Sequence, residues 1–274
     1  MITGKAKLTG LLGWPVGHSK SPRLHNHWLA QFGIDGAFLP LPVSPNDLTT
    51  VVPALSRMGF IGLNVTVPHK QAVMPFATRL DPFAKRIGAV NCLTLQPDGS
   101  WLGSNTDAAG FMLNLKGFDP ASGPIVLLGA GGAAHAAAAA LIENGAIEIR
   151  LVNRSRDKAE ELAASLGGPL KVVGWEQRHA ALAGAALLVN STSLGMDGQP
   201  PLDLKLDELP ATALVNDLVY APLETPLLAA ARRRGNPVAD GLGMLMHQAR
   251  PAFANWWGVT PEITPEIRAL MLAP

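Results

Sequence analysis

The stretch that most constrains this chain is Ile125-Val126-Leu127-Leu128-Gly129-Ala130-Gly131-Gly132-Ala133-Ala134. Four apolar residues read as a buried strand and run straight into a Gly-x-Gly-x-x-Ala turn. An alanine-rich segment continues to Asn144-Gly145, and a second apolar run covers residues 147–152. Strand, turn, helix and second strand at these lengths make a βαβ unit whose turn binds a dinucleotide. Gly129 permits the tight turn, Gly131 lets a pyrophosphate approach the backbone, and Ala134 allows the helix to pack closely on the sheet. The free N–H groups at the helix start, around Ala130, Gly132 and Ala133, suit phosphate oxygens.

The end of the second strand discriminates between the two nicotinamide dinucleotides. An acidic residue there would hold a ribose 2′-hydroxyl and repel a 2′-phosphate. The residues present are Asn153-Arg154-Ser155-Arg156-Asp157-Lys158, with no carboxylate at the strand end itself. A guanidinium at Arg154 can pair with a 2′-phosphate and stack on adenine, helped by Asn153, Ser155 and Lys158. NADP is therefore the expected cofactor. The alternative is that these are solvated charges opening the next helix.

Short apolar runs alternate with helical patterns along most of the chain, near residues 8–13, 37–41, 60–66, 89–95, 124–128, 147–152, 170–173, 186–190, 213–219 and 237–239. That rhythm predicts parallel sheets built from βαβ units. Ser21-Pro22 and Thr264-Pro265 mark helix starts, and Asp98-Gly99 a hairpin turn. A fresh dinucleotide-binding pattern follows the loop at residues 116–124, so a boundary is expected near 105–107. Helices after Gly241 have no strand to accompany them and are expected to pack back on the first domain. The expected architecture is α/β with two open, mostly parallel-sheet domains, 1–106 with 242–274 and 107–241. The second is a Rossmann domain; a cleft between the two is what the resemblance described below implies.

The 274 residues are 48% hydrophobic and 16% charged, enough for packed cores. Net charge is +1, and the longest basic run is Arg232-Arg233-Arg234, so the broad basic face of a nucleic-acid binder is missing. Cys92 is the sole cysteine and sits in an apolar run, as a small core hydrophobe. No signal-peptide core or membrane-spanning stretch is present, so a soluble, cytoplasmic chain is expected.

A second polar cluster lies in the first half. In Asn64-Val65-Thr66-Val67-Pro68-His69-Lys70, Asn64 and Thr66 share one strand face. Pro68 is expected to open a helix with Lys70 in its first turn, where a cation opposes the dipole and so argues for a role other than stability. Ser19 and Ser21, two apart beside a helix start, can hold a carboxylate or hydroxyl, with Ser21 also serving as the N-cap. His18, His25 and His27 have no cysteine or carboxylate cluster nearby, and no metal is expected. Asp107 is either a helix-end charge or the carboxylate that orders Lys70 and a substrate hydroxyl.

At these residues the chain resembles the shikimate dehydrogenase family over nearly its whole length. The resemblance is carried by GHSKSPRLHN (17–26), NVTVPHK (64–70), GAVN (88–91), NTD (105–107), GAGGAA (129–134), NRSRDK (153–158), NSTSLGM (190–196), DLVYAPLETPLL (217–228) and DGLGMLMHQA (240–249). It implies reversible, NADPH-dependent reduction of 3-dehydroshikimate to shikimate, on the route to chorismate and the aromatic amino acids. It makes Lys70 the catalytic lysine and Asp107 its partner. Ser19, Ser21, Asn64, Thr66, Asn91, Asp107, Tyr220 and Gln248 would bind the substrate. Gly129, Ala130, Gly131, Gly132, Ala133, Asn153, Arg154, Ser155, Arg156 and Lys158 would bind NADP, with Leu218, Gly241 and Met244 near the nicotinamide. Tyr220, the only tyrosine, is otherwise a core aromatic with a satisfied hydroxyl. A relative acting on quinate, a differently specialised two-domain dehydrogenase and a non-catalytic NADP sensor are the competing expectations, and a homodimer is compatible with all of them.

Overall fold

Each half of the chain builds its own six-stranded sheet in the computed structural model, which describes residues 2–273. The two compact units are Met1–Thr106 with Met246–Pro274, and Asp107–Leu245.

In the first unit the elements run β1 (Lys7–Gly13), α1 (Ser21–Gln31), β2 (Gly36–Pro42), α2 (Leu48–Arg57), β3 (Phe60–Val65), β4 (Ala77–Leu80), α3 (Pro82–Ile87), β5 (Cys92–Leu95) and β6 (Trp101–Ser104). The sheet order is β2-β1-β3-β5-β6-β4. β1 pairs in parallel with β2 and β3, whereas β5 is antiparallel to both β3 and β6. The reversal is made by the tight turn at Asp98-Gly99. Gln96 N–H donates to Ser100 O at 2.8 Å, Gly99 has φ +81°, and the Asp98 carboxylate accepts from Ser100. Leu12, Val52, Leu63, Val65, Leu93 and Trp101 meet in one core on this sheet.

In the second unit follow α4 (Asp107–Asn114), β7 (Ile125–Leu128), α5 (Gly132–Glu143), β8 (Ile149–Val152), α6 (Arg156–Leu166), β9 (Leu170–Val173), β10 (Leu187–Asn190), β11 (Leu214–Asp217), α7 (Pro226–Arg233) and β12 (Val238–Ala239). All its strand pairs are parallel, in the order β9-β8-β7-β10-β11-β12. This is the doubly wound order of a Rossmann domain, with the switch point between β7 and β10. All four residues of β7 and all four of β10 are buried, as the apolar runs require. α8 (Gly241–Trp257) contains the boundary between the units, and α9 (Pro265–Leu272) ends the described chain. Past that boundary α8 packs on the first sheet: the Trp256 indole N–H donates to Leu93 O of β5 at 3.1 Å. No described helix is long and apolar enough to cross a membrane.

Several local expectations change. Residues 67–73 form turns and Met74–Phe76 a single 3-10 turn, not an α-helix, so Lys70 does not oppose a helix dipole. Lys70 O accepts from Val90 N–H at 2.7 Å instead of serving a helix ladder. Pro75 has no N–H to return to Gln71, so the ladder could not continue. Ser21 is the first helical residue, and the N-cap position falls on Lys20 without a side-chain cap. The turn bond is made by Ser19 Oγ, which accepts from Ser21 N–H at 3.2 Å. The apolar run at 89–95 becomes strand only from Cys92. Strand β4 was not foreseen, because Ala-Thr-Arg-Leu is a half-exposed edge with no buried alternation.

Candidate active site

The glycine-rich turn has the geometry its sequence dictates. Gly129 has φ +110°, and a side chain there would strike Ser191 Oγ at 2.6 Å. Gly131 caps α5 in extended conformation, and a Cβ on it would meet no protein atom within 4 Å. The space over the turn is thus open while the turn itself is pinned: Gly129 N–H donates to Val152 O at 2.9 Å, and Ser191 Oγ to Leu128 O at 2.6 Å. The first N–H groups of α5, at Gly132 and Ala133, have no intrahelical acceptor and carry the positive end of the dipole. Ala134 is fully buried.

At the end of β8, Asn153 Nδ2 donates to Ser155 O at 2.8 Å and closes the loop that presents Arg154. Arg154, Ser155, Arg156 and Lys158 are all exposed. Arg156 Nε is held by Glu160 at 2.7 Å, one helical turn on. Arg154 and Lys158 make no hydrogen bond or ion pair among the described residues. Two free cations and an open pyrophosphate cradle fit NADP, and no carboxylate competes for the 2′ position.

Leu218 and Gly241 come together in the second unit, and Met244 follows Gly241 in α8. A Cβ at Gly241 would collide with the Leu218 carbonyl, so only glycine allows this approach. Met244 is buried in the first turn of α8. Tyr220 is half-buried, and burial raises its phenol pKa above the ordinary value.

In the first unit a polar network stands where the sheet would otherwise be apolar. Thr106 N–H donates to Asn91 Oδ1 at 2.8 Å, and Asn91 Nδ2 donates to Thr106 Oγ1 at 3.0 Å and Gln248 Oε1 at 3.4 Å. Asn64 Nδ2 reaches Asn91 O at 3.3 Å, and its buried Oδ1, which meets no hydrogen-bond geometry among the described residues, is close enough to His25 to raise that imidazole's pKa. Thr66 and Lys70, both half-buried, follow at the carboxyl end of β3. The Lys70 turn is held by His69, whose Nε2 bonds Val43 O at 2.7 Å. Ser19 is half-buried and Ser21 buried beside α1. Asp107 is buried in the first turn of α4, directly after Thr106 in the chain.

His25 belongs to the core. It stacks on Phe38 with centroids 4.2 Å apart, and burial pushes its pKa down to about 3, against a smaller raising effect from Asn64. Cys92 is buried as well, and its thiol is pushed up to about 11. Among the described residues no group of three His, Cys, Asp or Glu could hold a metal. Sequence reasoning did not single out Thr106, Ser191 or Asp217. Each is a polar residue just past an apolar run, at the carboxyl end of a strand, and that position is the signal that could have found them.

The family model for the shikimate dehydrogenase substrate binding domain matches residues 11–93, and that for shikimate / quinate 5-dehydrogenase matches residues 115–195. The chain is 58% identical to the shikimate dehydrogenase (NADP(+)) of Paramagnetospirillum magneticum, covering 99% of this chain and 100% of that one. A crystal structure of shikimate 5-dehydrogenase from Thermus thermophilus with NADP(H) and shikimate superposes with a TM-score of 0.85 at 36% identity, over 97% of each chain. A quinate dehydrogenase from Corynebacterium glutamicum in complex with NAD does so with a TM-score of 0.88 at 30% identity, again over 97% of each chain. Two family models that together match more than half of the chain, and identity above one half over almost its whole length, leave one conclusion: the chain belongs to the shikimate dehydrogenase family of NADP-dependent oxidoreductases.

Proposed function

We propose that this chain catalyses the reversible, NADPH-dependent reduction of 3-dehydroshikimate to shikimate, within chorismate and aromatic amino acid biosynthesis. The observation that carries the cofactor choice is the free Arg154 at the end of β8. The substrate choice rests on relatives of this family that act on shikimate and on the hydroxyl-binding cluster of Asn64, Asn91, Thr106 and Gln248.

When bound, NADPH supplies the hydride that reduces the C3 ketone. The chain's own groups bind and orient the ring and handle the proton. Lys70 gives the developing alkoxide its proton and regains one from solvent. Asp107 orders Lys70 and a ring hydroxyl. Ser19 and Ser21 hold the substrate carboxylate, and Asn64, Thr66, Asn91, Tyr220 and Gln248 hold hydroxyls. Residues 129–133 carry the pyrophosphate, and Asn153, Arg154, Ser155, Arg156 and Lys158 surround the 2′-phosphate. Orientation and electrostatic fit supply most of the remaining acceleration. The reading extends to a cytoplasmic enzyme, with a homodimer as the assembly that light scattering would check.

The test is absorbance at 340 nm with purified protein, NADP⁺ and shikimate, with quinate and NAD⁺ as separate arms. Turnover of shikimate with NADP⁺ well above every other combination supports the proposal. Preference for quinate reassigns the substrate, and tight NADP⁺ binding without turnover of either acid makes the chain a sensor.

A further inference from the structure

One buried ionisable group has no part in the proposed chemistry. Asp217 ends β11 directly across from Asn190 on β10, and it is fully buried. No cation pairs with it among the described residues. Three donors converge on its carboxylate instead. Oδ1 accepts from Asn190 Nδ2 at 2.9 Å and from Val219 N–H at 3.1 Å, and Oδ2 accepts from Thr225 Oγ1 at 2.7 Å. Every contact gives a hydrogen to the carboxylate, so the ionised form matches all three.

Each donor belongs to a different segment. Asn190 extends the network into the loop after β10: its Oδ1 accepts from Thr192 N–H at 3.1 Å and Thr192 Oγ1 at 2.7 Å, and its Nδ2 also donates to Leu194 O at 3.2 Å. That loop begins with Ser191, which lies against Gly129. Val219 stands between Leu218 and Tyr220. Thr225 caps α7, where its Oγ1 also accepts from Leu228 N–H at 3.3 Å, so its single proton is committed to Asp217.

We propose that Asp217 is a positioning residue, fixing the 218–225 loop with Leu218 and Tyr220 against the 191–194 loop beside the dinucleotide turn. The proposal rests on the functional reading above and on the family resemblance, which implies that the nicotinamide lies near Leu218. Asp217 touches neither substrate nor cofactor and acts through the loop that does. An amide at this position would set N–H groups against donors and release part of the network. The 2′-phosphate end of the site, at Arg154, follows β8 and shares no hydrogen bond with this network among the described residues.

That separation supplies the experiment. The wild type and Asp217→Asn are titrated with 2′,5′-ADP, which has the 2′-phosphate but no nicotinamide, and with NADP⁺, and are then assayed with shikimate. The expected variant binds 2′,5′-ADP within about two-fold of wild type. Its NADP⁺ affinity falls several-fold, and its kcat falls about 10- to 100-fold, as a misplaced reacting group requires. An unchanged kcat and NADP⁺ affinity would overturn the proposal. If Asp217→Asn loses 2′,5′-ADP binding as well, the fold has failed and Thr225 decides. Thr225→Val should lower kcat with 2′,5′-ADP binding kept, and Thr225→Ser should recover most of the loss. A Thr225→Val enzyme with wild-type kcat overturns the proposal. A wild type inactive on shikimate defeats the functional reading instead, and the ratio of the NADP⁺ and 2′,5′-ADP affinities still tests Asp217.

Discussion

Arg154 and Arg156 stand two residues apart and differ in a single contact. Arg156 is tied to Glu160, whereas Arg154 makes no hydrogen bond or ion pair among the described residues. An exposed ion pair contributes little to stability, but it holds a side chain away from a ligand. A phosphate at the end of β8 therefore meets Arg154 first. Arg154→Ala should raise KM for NADP⁺ about 10- to 100-fold, the worth of one or two charge-assisted hydrogen bonds. KM for NAD⁺ should stay within about two-fold of wild type, and Arg156→Ala, whose guanidinium is shared with Glu160, should raise KM for NADP⁺ less than Arg154→Ala does; steady-state kinetics with both cofactors check this. Equal losses with both cofactors would move the 2′-phosphate elsewhere. Lys70 is argued on the same scale. If it moves the proton, Lys70→Ala should cut kcat about 10²- to 10⁴-fold with little change in KM for shikimate. A rise in KM with kcat intact would make it a binding residue only.

At the scale of elements, the legible parts were those that local chemistry alone decides. Gly129 and Gly131 are required by the turn, Thr264-Pro265 caps α9 with Thr264 Oγ1 accepting from Ile267 N–H, and Asp98-Gly99 turns the hairpin. Thr264→Ala should therefore cost about 1 kcal/mol in urea unfolding, as the loss of an N-cap does. The elements misread were those decided by distant partners. The segment around Lys70 looks helical by its proline, yet its carbonyl is taken by Val90 and its neighbour His69 by Val43. Ser21 looks like a cap, but Ser19 two residues earlier makes the bond. β4 exists only because β6 offers an edge to pair with. The candidate site shows the same division. Its cofactor half lies in one continuous βαβ segment and could be read directly, whereas Asn91, Thr106 and Gln248 meet only after folding, 15 and 142 residues apart along the chain. Thr106 was passed over because a threonine between two named residues has no signature of its own.

For the molecule as a whole, the response to acid follows from where its buried ionisable groups sit. His25 joins three elements: it stacks on Phe38 of β2, meets Trp28 of α1 edge-on with centroids 5.6 Å apart, and lies 5.5 Å from Trp256 of α8. A charge there would be stripped of water, which outweighs its attraction to the rings, and the folded-state pKa falls from 6.5 to about 3. Between those values the unfolded chain binds a proton that the folded chain refuses. Stability from this group is whole above pH 6.5 and is lost as pH falls toward 3, with a slope approaching about 1.4 kcal/mol per pH unit. Asp217 has the opposite sign. Burial raises its pKa despite three hydrogen bonds, so the folded state binds its proton first and gains stability as pH falls through the carboxylate range. The exposed carboxylates with lowered pKa values, such as Asp98 and Glu266, lie in solvent and contribute weakly. The two buried groups therefore act in separate windows, His25 from just below pH 6.5 and Asp217 against it further down. Urea unfolding followed by fluorescence of the six tryptophans should show wild-type stability falling from pH 6.5 to 5. His25→Leu should flatten that slope whatever its cost at pH 7, because leucine has no proton to exchange. A slope that survives the substitution would assign the acid sensitivity to groups other than His25.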